Sequence, residues 1–398
     1  MSLLLNIEQR NAVLKSMIRC LKREKNTLLE ANRKDVGNYS GEDIAMYDRL
    51  KVNEGKIRGM IQSLRELGQQ EDPLNIERFH FKHDNGMSVS NRTAPFGTVL
   101  VIYESRPDVT IEAAGIAFKS GNKILLKGGK ESLDSNLVLV GLWHKALEEN
   151  NVSTSWIQYL QYDRSETRAF LENPTQKIDL IVPRGGEKLI AFVKQHATCP
   201  IIVSGRGNNF LYVDIDADHE MALDTIINAK TTKISACNAL DKVLIHHKLP
   251  NKSVFLKKLV AKLLENNVVI WVDGHLGSLP NTSRITNDAI WYKEFLDYKI
   301  LLGEVTGLEG AIGKINQYGG GHSAAIITKD GTTATEFMNS VDTAAVYHNA
   351  STRFTDGGQF GLGGELAIST DKLHQRGPIG LQHLVTNKWY VKGTGQVR

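Results

Sequence analysis

Cysteine is scarce in this sequence. Three occur in 398 residues, Cys20, Cys199 and Cys237. The number is odd, the spacing is wide and no CxxC pair is present. Neither a disulfide framework nor a structural zinc site fits that pattern. Long apolar runs are missing too, and none reaches the roughly 20 residues of a membrane-spanning helix. The opening "MSLLLNIEQRN" has a brief apolar run with no small-residue cleavage site behind it. A reducing, cytoplasmic setting is the expectation. No charge of one sign dominates, since 48 basic and 44 acidic residues give a net +4. That balance argues against nucleic acid as a partner, while mild basicity suits a small anionic substrate. Repeats and low-complexity segments are absent.

What is present is alternation. Residues 6 to 35 read as a helix, with Val13, Leu14, Met17, Ile18 and Leu21 at helical spacing and Cys20 as a small core hydrophobe. "RFHFKHDNGMSVSNRTAP" places "DNG" between two extended runs, a hairpin signal. Strand-like "GTVLVIY", "KILLKG", "IQYLQY", "IDLIVPRGG" and "PIIVSGRG" then alternate with helical runs. Continuous apolar strands separated by helices predict a parallel sheet covered on both faces. The pattern restarts near residue 213, from "DADHEMALDTIINAKTT" to "TAAVYHNA", and predicts a second α/β domain. The terminal "NKWYVKGTGQVR" alternates like a lone strand. It is expected to join the early hairpin, on a neighbouring subunit or its own.

Two glycine-rich stretches look alike and differ in context. "YGGGHSAA" spells GxGxxA at Gly319, Gly321 and Ala324. It follows a helix and precedes a strand, the reverse of a dinucleotide fingerprint, and is read as a helix end. "LIVPRGGEKLIAFV" has the order strand, Arg184-Gly185-Gly186, helix. It suits an anion at a helix start or a plain turn. Lys127 closes a buried strand, where α/β proteins place ligands. In "TTKISACNAL" the thiol of Cys237 follows Lys230 and Lys233, and cations favour the reactive thiolate. Local composition alone favours a small buried hydrophobe, since no catalytic partner is written nearby.

Several blocks taken together resemble the gamma-glutamyl phosphate reductases, a branch of the aldehyde dehydrogenase superfamily. They are "YESRPDVTIEAAGIAFKSGNKILLKGGKES", "DLIVPRGG", "ACNALDKVLIH", "VDTAAVYHNASTRFTDGGQFGLGGELAIST" and "RGPIGLQHLVTNKWYVKGTGQVR". The resemblance runs from about residue 30 to the last residue. It implies an aldehyde dehydrogenase-like α/β fold with two parallel-sheet domains and a small β oligomerisation element. Residues 1–76 and 98–212 are then the cofactor domain and 213–376 the catalytic domain. Residues 77–97 and 377–398 are the oligomerisation hairpin and C-terminal strand. The implied reaction is NADPH-dependent reduction of L-glutamyl 5-phosphate to L-glutamate 5-semialdehyde, the second step of proline biosynthesis. A homo-oligomer is implied, and a separate glutamate 5-kinase is expected to supply the acyl phosphate.

The resemblance also carries residue roles. Cys237 matches the nucleophile that forms a thioester. Asn238 and Ser105 are candidates to stabilise the acyl oxygen. Lys127 and Glu294 match contacts to the cofactor ribose groups, and Arg184, Gly185 and Gly186 join them as cofactor candidates. Arg106, Arg353 and His322 are candidates for the substrate's anionic groups. "PIIVSGRGNNF" has no carboxylate where hydrolytic relatives keep a base, and Ile202 falls near that position. A hydrolytic aldehyde dehydrogenase and a non-catalytic scaffold of the same fold are the rival expectations.

Overall fold

The structure, a computed structural model, describes residues 5–277 and 279–398. Met1 to Leu4, expected as the start of the first domain, lie outside the described residues. The chain divides into two compact units. One holds residues up to Val203 with Gly361–Ala367 and Pro378–Arg398, and the other holds Ser204–Phe360 with Ile368–Gly377.

The first unit opens with helices α1 (Ile7–Arg23), α2 (Lys25–Gly37), α3 (Ile44–Leu50) and α4 (Glu54–Gln69). The single helix expected over 6–35 is thus two. It breaks at Glu24, whose carboxylate meets Arg23 Nε at 3.3 Å and Lys145 Nζ at 3.6 Å. Buried Leu28 and Ala31 continue the apolar face beyond the break, so periodicity alone cannot detect it. Strands β1 (Glu77–Lys82) and β2 (Ser88–Pro95) form the hairpin. Then come β3 (Thr98–Tyr103), α5 (Pro107–Lys119), β4 (Lys123–Lys127), α6 (Leu133–Glu148), β5 (Ile157–Tyr159), α7 (Arg164–Glu172), β6 (Leu180–Arg184) and α8 (Glu187–His196).

The four-stranded sheet runs β5-β4-β3-β6, all parallel. Both faces are apolar because both are covered. Val99, Val101 and Tyr103 of β3 enter one core, and Leu100 and Ile102 enter the other. The expected strand "PIIVSGRG" shrinks to one bridge between Ile201 and Ile181, ahead of Gly205 and Gly207. Buried Lys119 ties α5 to the end of α4, donating to the carbonyls of Leu67 and Gln70.

The second unit contains β7 (Asn209–Val213), α9 (His219–Thr231), β8 (Leu240–His246), α10 (Lys252–Glu265), β9 (Val269–Val272), β10 (Ser283–Arg284), β11 (Lys299–Val305), α11 (Leu308–Tyr318), β12 (Ser323–Ile327), α12 (Gly331–Ser340) and β13 (Ala345–His348). Its sheet has the order β10-β9-β11-β8-β7-β12-β13, and every pairing is parallel. β7 lies between β8 and β12, which is why the second unit begins before β7 rather than at residue 213. Leu211 and Val213 face one core and Phe210 and Tyr212 the other. Short strands β14 (Ala367–Ser369) and β15 (Gly377–Ile379) pair with each other.

The last strand, β16 (Val385–Lys392), pairs antiparallel with β2 from Val385↔Pro95 to Lys392↔Ser88. It therefore joins the hairpin of its own chain rather than a neighbour's. Among the described residues, no helix is long and apolar enough to cross a membrane.

Trp143 is fully buried on α6 in the larger core of the first unit. Trp143→Ala should lower unfolding stability by about 3–5 kcal/mol. A urea titration followed by circular dichroism measures that loss, and a change below about 1 kcal/mol would show this core to be less tightly packed than described.

Candidate active site

The Cys237 turn lies at the amino ends of the second unit's strands. It joins α9 to β8 through the mostly small residues "ISACNA", of which Ala239 is buried. Side-chain amides hold it. Asn209, fully buried at the start of β7, directs its amide N–H group at the carbonyls of Cys237 (2.7 Å), Ala239 (2.7 Å) and Gly207 (2.9 Å). Asn238 donates to the carbonyls of Arg353 (3.1 Å) and Thr355 (2.9 Å). Thr352 returns a hydroxyl bond to the carbonyl of Asn238 at 2.8 Å. A Cβ on Gly207 would overlap the carbonyl oxygen of Cys237, so only glycine permits this approach.

The result is a fixed backbone with its sulfur outside. Of the three thiols, only Cys237 is exposed. Burial pushes the thiols of Cys20 and Cys199 up, toward the unreactive protonated form.

Charge around the thiol differs from the sequence-based expectation. Lys230 is fully buried and paired with Asp241 at 3.0 Å, so its charge is already answered. Arg353, far away in sequence, is a cation that senses the Cys237 charge. Burial lowers the guanidinium's hold on its proton, and the charges of Cys237 and Asp356 oppose that effect. Nε and Nη1 of Arg353 are buried and find no acceptor among the described residues.

Beside this segment runs a polar chain. His322 Nδ1 lies 2.7 Å from Ser323 Oγ, which lies 2.7 Å from Thr355 Oγ1, and Tyr347 OH is 2.6 Å from the same oxygen. Glu294 sits in the same unit, just before β11. Its stretch is pinned by Lys242 Nζ on the Lys293 carbonyl (2.7 Å) and by the Phe295 N–H on Asp241 (2.9 Å). Lys242 is buried against the Phe295 ring, 3.8 Å from its centre, and burial brings its ammonium down to about 7.

The remaining candidates belong to the first unit and gather at the carboxyl ends of its strands. β4 and β5 build out from one side of β3 and β6 from the other, so the carboxyl ends of β3 and β6 form a topological switch point. Lys127, at the end of β4, is half-buried. Burial lowers its ammonium pKa, against the pull of Glu131 and Asp163. Ser105 Oγ donates to Glu131 Oε2 at 3.0 Å. Arg106 pairs with Asp108 at 2.9 Å. The N–H of Gly186 donates to Glu104 Oε2 at 3.2 Å, and a Cβ on Gly185 would collide with the Glu104 carboxylate. Among the described residues no group of three or more metal-ligating side chains occurs.

Comparison with known proteins places this geometry. The aldehyde dehydrogenase family matches residues 4–276. Gamma-glutamyl phosphate reductase of Dictyoglomus thermophilum is 39% identical, covering 99% of this chain and 95% of its own. That of Halothermothrix orenii is 40% identical, over 98% and 93%. The crystal structure of gamma-glutamyl phosphate reductase from Thermotoga maritima superposes with a TM-score of 0.92 at 37% identity, covering 99% of this chain and 95% of that one. The chain belongs to the gamma-glutamyl phosphate reductases, within the aldehyde dehydrogenase family. An acetylating aldehyde dehydrogenase from Geobacillus thermoglucosidasius shares the fold at a TM-score of 0.71 and 16% identity.

Five of the residues that the sequence singled out are engaged within the chain: Asn238, Ser105, Gly185, Gly186 and Arg106. The Asn238 amide donates to two backbone carbonyls and so builds the turn. The hydroxyl hydrogen of Ser105 goes to Glu131. The anion at the Gly185–Gly186 turn is the chain's own Glu104 carboxylate, which caps α8. Arg106 spends part of its fork on Asp108. Arg184, at the end of β6, lies close enough to Asp108 and Glu112 to stabilise their charged forms. Sequence reasoning missed Asn209, Gly207 and Thr352. Only the "GRGNN" run, whose asparagines stand where a covered strand would begin, hinted at the first two.

His322 is 1% exposed, and burial holds its ring pKa down to about 4, against 6.5 ordinarily. The folded state thus binds the proton later than the unfolded chain as pH falls. The stability carried by the neutral ring is full above about pH 6.5 and is lost as pH falls toward about 4, roughly 3 kcal/mol in all. His322→Gln should flatten the fall in urea midpoint across that window. An unchanged slope would show that this ring is not the group titrating there.

Proposed function

We propose that this chain reduces L-glutamyl 5-phosphate to L-glutamate 5-semialdehyde through a thioester on Cys237, the second step of proline biosynthesis. The observation that carries this reading is the exposed thiol on a hydrogen-bonded turn, with an arginine whose charge it senses. The 39–40% identity to gamma-glutamyl phosphate reductases supports it.

The thiolate attacks the acyl carbon. A C–S bond forms, and the C–O bond to phosphate breaks with its electron pair leaving on phosphate oxygen. This divides one hard displacement into two easier ones. Charge develops on the acyl oxygen in each step, and backbone donors of the turn suit it better than the committed Asn238 amide. A nicotinamide cofactor, when bound, supplies the hydride that the thioester carbon needs. Return of the C–S electron pair to sulfur then frees the aldehyde and restores the thiolate.

The cofactor fits residues that are present. Lys127 is a half-buried ammonium at the carboxyl end of β4, beside a switch point. We assign it to the cofactor ribose and Glu294 to the nicotinamide ribose. NADPH is the expected reductant, by resemblance to the family.

The stretch 200–210, with Ile202 near the expected base position and the glycine packed on Cys237, has no carboxylate. A base that activated water would hydrolyse the thioester and waste the substrate, so its absence supports the reductive direction. A cytoplasmic location and a separate kinase that supplies the labile acyl phosphate belong to the same reading.

Self-association completes it. The sheet β1-β2-β16 exposes Phe79, Phe81, Trp389 and Val391, with the Phe79 and Trp389 rings 5.7 Å apart. That apolar face suits a second copy of the chain.

Cys237→Ala should abolish phosphate-dependent NADP reduction by glutamate semialdehyde, at least about 10³-fold, with the circular dichroism spectrum unchanged. Near-normal turnover would refute the covalent route, and NADP reduction that ignores phosphate would favour hydrolytic chemistry. Trp389→Asp should shift the protein to a smaller sedimenting species. An unchanged sedimentation coefficient would place the oligomer contact elsewhere.

A further inference from the structure

The reductase reading requires three charged groups on the substrate to be met, and the Cys237 turn identifies the partner of one. Arg353 is fixed in place by its backbone. Its carbonyl accepts from Asn238 at 3.1 Å and its N–H donates to Ser351 Oγ at 3.3 Å. Its neighbour Thr352 is bonded to the Asn238 carbonyl. The arginine is therefore stapled, from two sides, to the residue that follows the nucleophile. The other charged group that senses it, Asp356, is occupied in its own turn, accepting the N–H groups of Gly358 at 2.9 Å and Gln359 at 3.2 Å.

Buried guanidinium donors without an acceptor are costly, and Nε and Nη1 of Arg353 are two of them. Each is a planar, charged N–H donor of the kind that binds phosphate or carboxylate oxygens, and the two point to different sides of the guanidinium, so they can meet separate oxygens of one anion or of its surroundings. Both anions are present on glutamyl phosphate, so the question is which one.

Chain length decides between them. Phosphate is bonded directly to the carbon that sulfur attacks, which puts its oxygens about 3–4 Å from the sulfur at the near-attack separation. The α-carboxylate is separated from that carbon by three others, about 5 Å further along an extended chain. Arg353 and Thr352 are tied to Asn238, the residue after the nucleophile, so this arginine belongs to the sulfur's end of the substrate rather than the far end. We infer that Arg353 is the phosphate-binding residue: it receives the leaving group in the reductive direction and inorganic phosphate in the oxidative one.

As the C–O bond breaks, the electron pair and the growing negative charge move onto phosphate oxygen beside Nε and Nη1. The same guanidinium favours the thiolate before substrate arrives. Phosphate binding and thiol reactivity are thereby joined in one side chain, and bound phosphate should shield the sulfur.

The test uses inorganic phosphate and iodoacetamide on the full chain, with alkylation of the Cys237 peptide followed by mass spectrometry. In the wild type, saturating phosphate should slow alkylation by about tenfold or more. In Arg353→Met the ratio of rates with and without phosphate should fall to about one, whatever the change in the rate itself. Arg353→Lys, which keeps charge without the fork, should give partial protection. In steady state, Arg353→Met should raise KM for phosphate at least about 30-fold while KM for glutamate semialdehyde changes less than about threefold. Equal protection in wild type and Arg353→Met would overturn the assignment. So would an unchanged phosphate KM with a raised semialdehyde KM, since that pattern belongs to a carboxylate site. Failure of the reductase reading looks different: phosphate still protects the wild-type thiol, but no phosphate-dependent NADP reduction is seen.

Discussion

A turn that must stay open to its substrate cannot be held by burying apolar side chains, and the Cys237 turn is held by amides. Asn209 gives its N–H group to three carbonyls, one of them Cys237's own, and Asn238 gives its N–H group to two more. Removing either buried amide would leave the carbonyls it serves without that donor, at about 1–3 kcal/mol for each buried group left unpaired. The backbone is rigid for that reason, while the sulfur remains exposed. The packing of Gly207 on the turn and the placement of Arg353 both depend on this arrangement.

The two units use their sheets in opposite ways. In the first, Lys127, Arg184 and the Glu104–Ser105 segment lie at carboxyl ends of parallel strands, where α/β sheets usually bind ligands. In the second, Cys237, His322 and Glu294 precede β8, β12 and β11, at the amino ends. The loops there have no convergence of strand carboxyl ends to organise them, and buried polar residues take over. Lys230, Asp241 and Lys242 do for the Glu294 stretch what the asparagines do for the cysteine. Burial, with a smaller push from the Lys230 charge, draws the proton affinity of Lys242 down to about 7 against the pull of Asp241 and Glu294.

Much of the fold was legible because it rests on apolar periodicity. "GTVLVIY" and "KILLKG" are buried on both faces, and continuous apolar strands say so directly. The Asp218 cap of α9 and the helix-then-strand order around "YGGG" were equally readable. The break at Glu24 was not, because Leu28 and Ala31 carry the apolar stripe past it. The site was legible in its nucleophile and illegible in its support. A cysteine among small residues resembles core filler until long blocks identify its relatives. Which carbonyls Asn238 would meet depends on residues 115 and 117 positions away. Lys230, close in sequence, is paired with Asp241, while Arg353, far in sequence, senses the charge of the thiolate. Local charge patterning cannot anticipate either outcome.

The central claim is that the glutamyl group rests covalently on one sulfur. The direct measurement is acid-quench mass spectrometry of the full chain, supplied with glutamyl phosphate generated by a kinase and with no reduced nicotinamide present. The account predicts a glutamyl adduct confined to the peptide that contains Cys237, labile to hydroxylamine. A protein that stays unmodified under those conditions, or that carries the adduct on Cys20 or Cys199 instead, would contradict it.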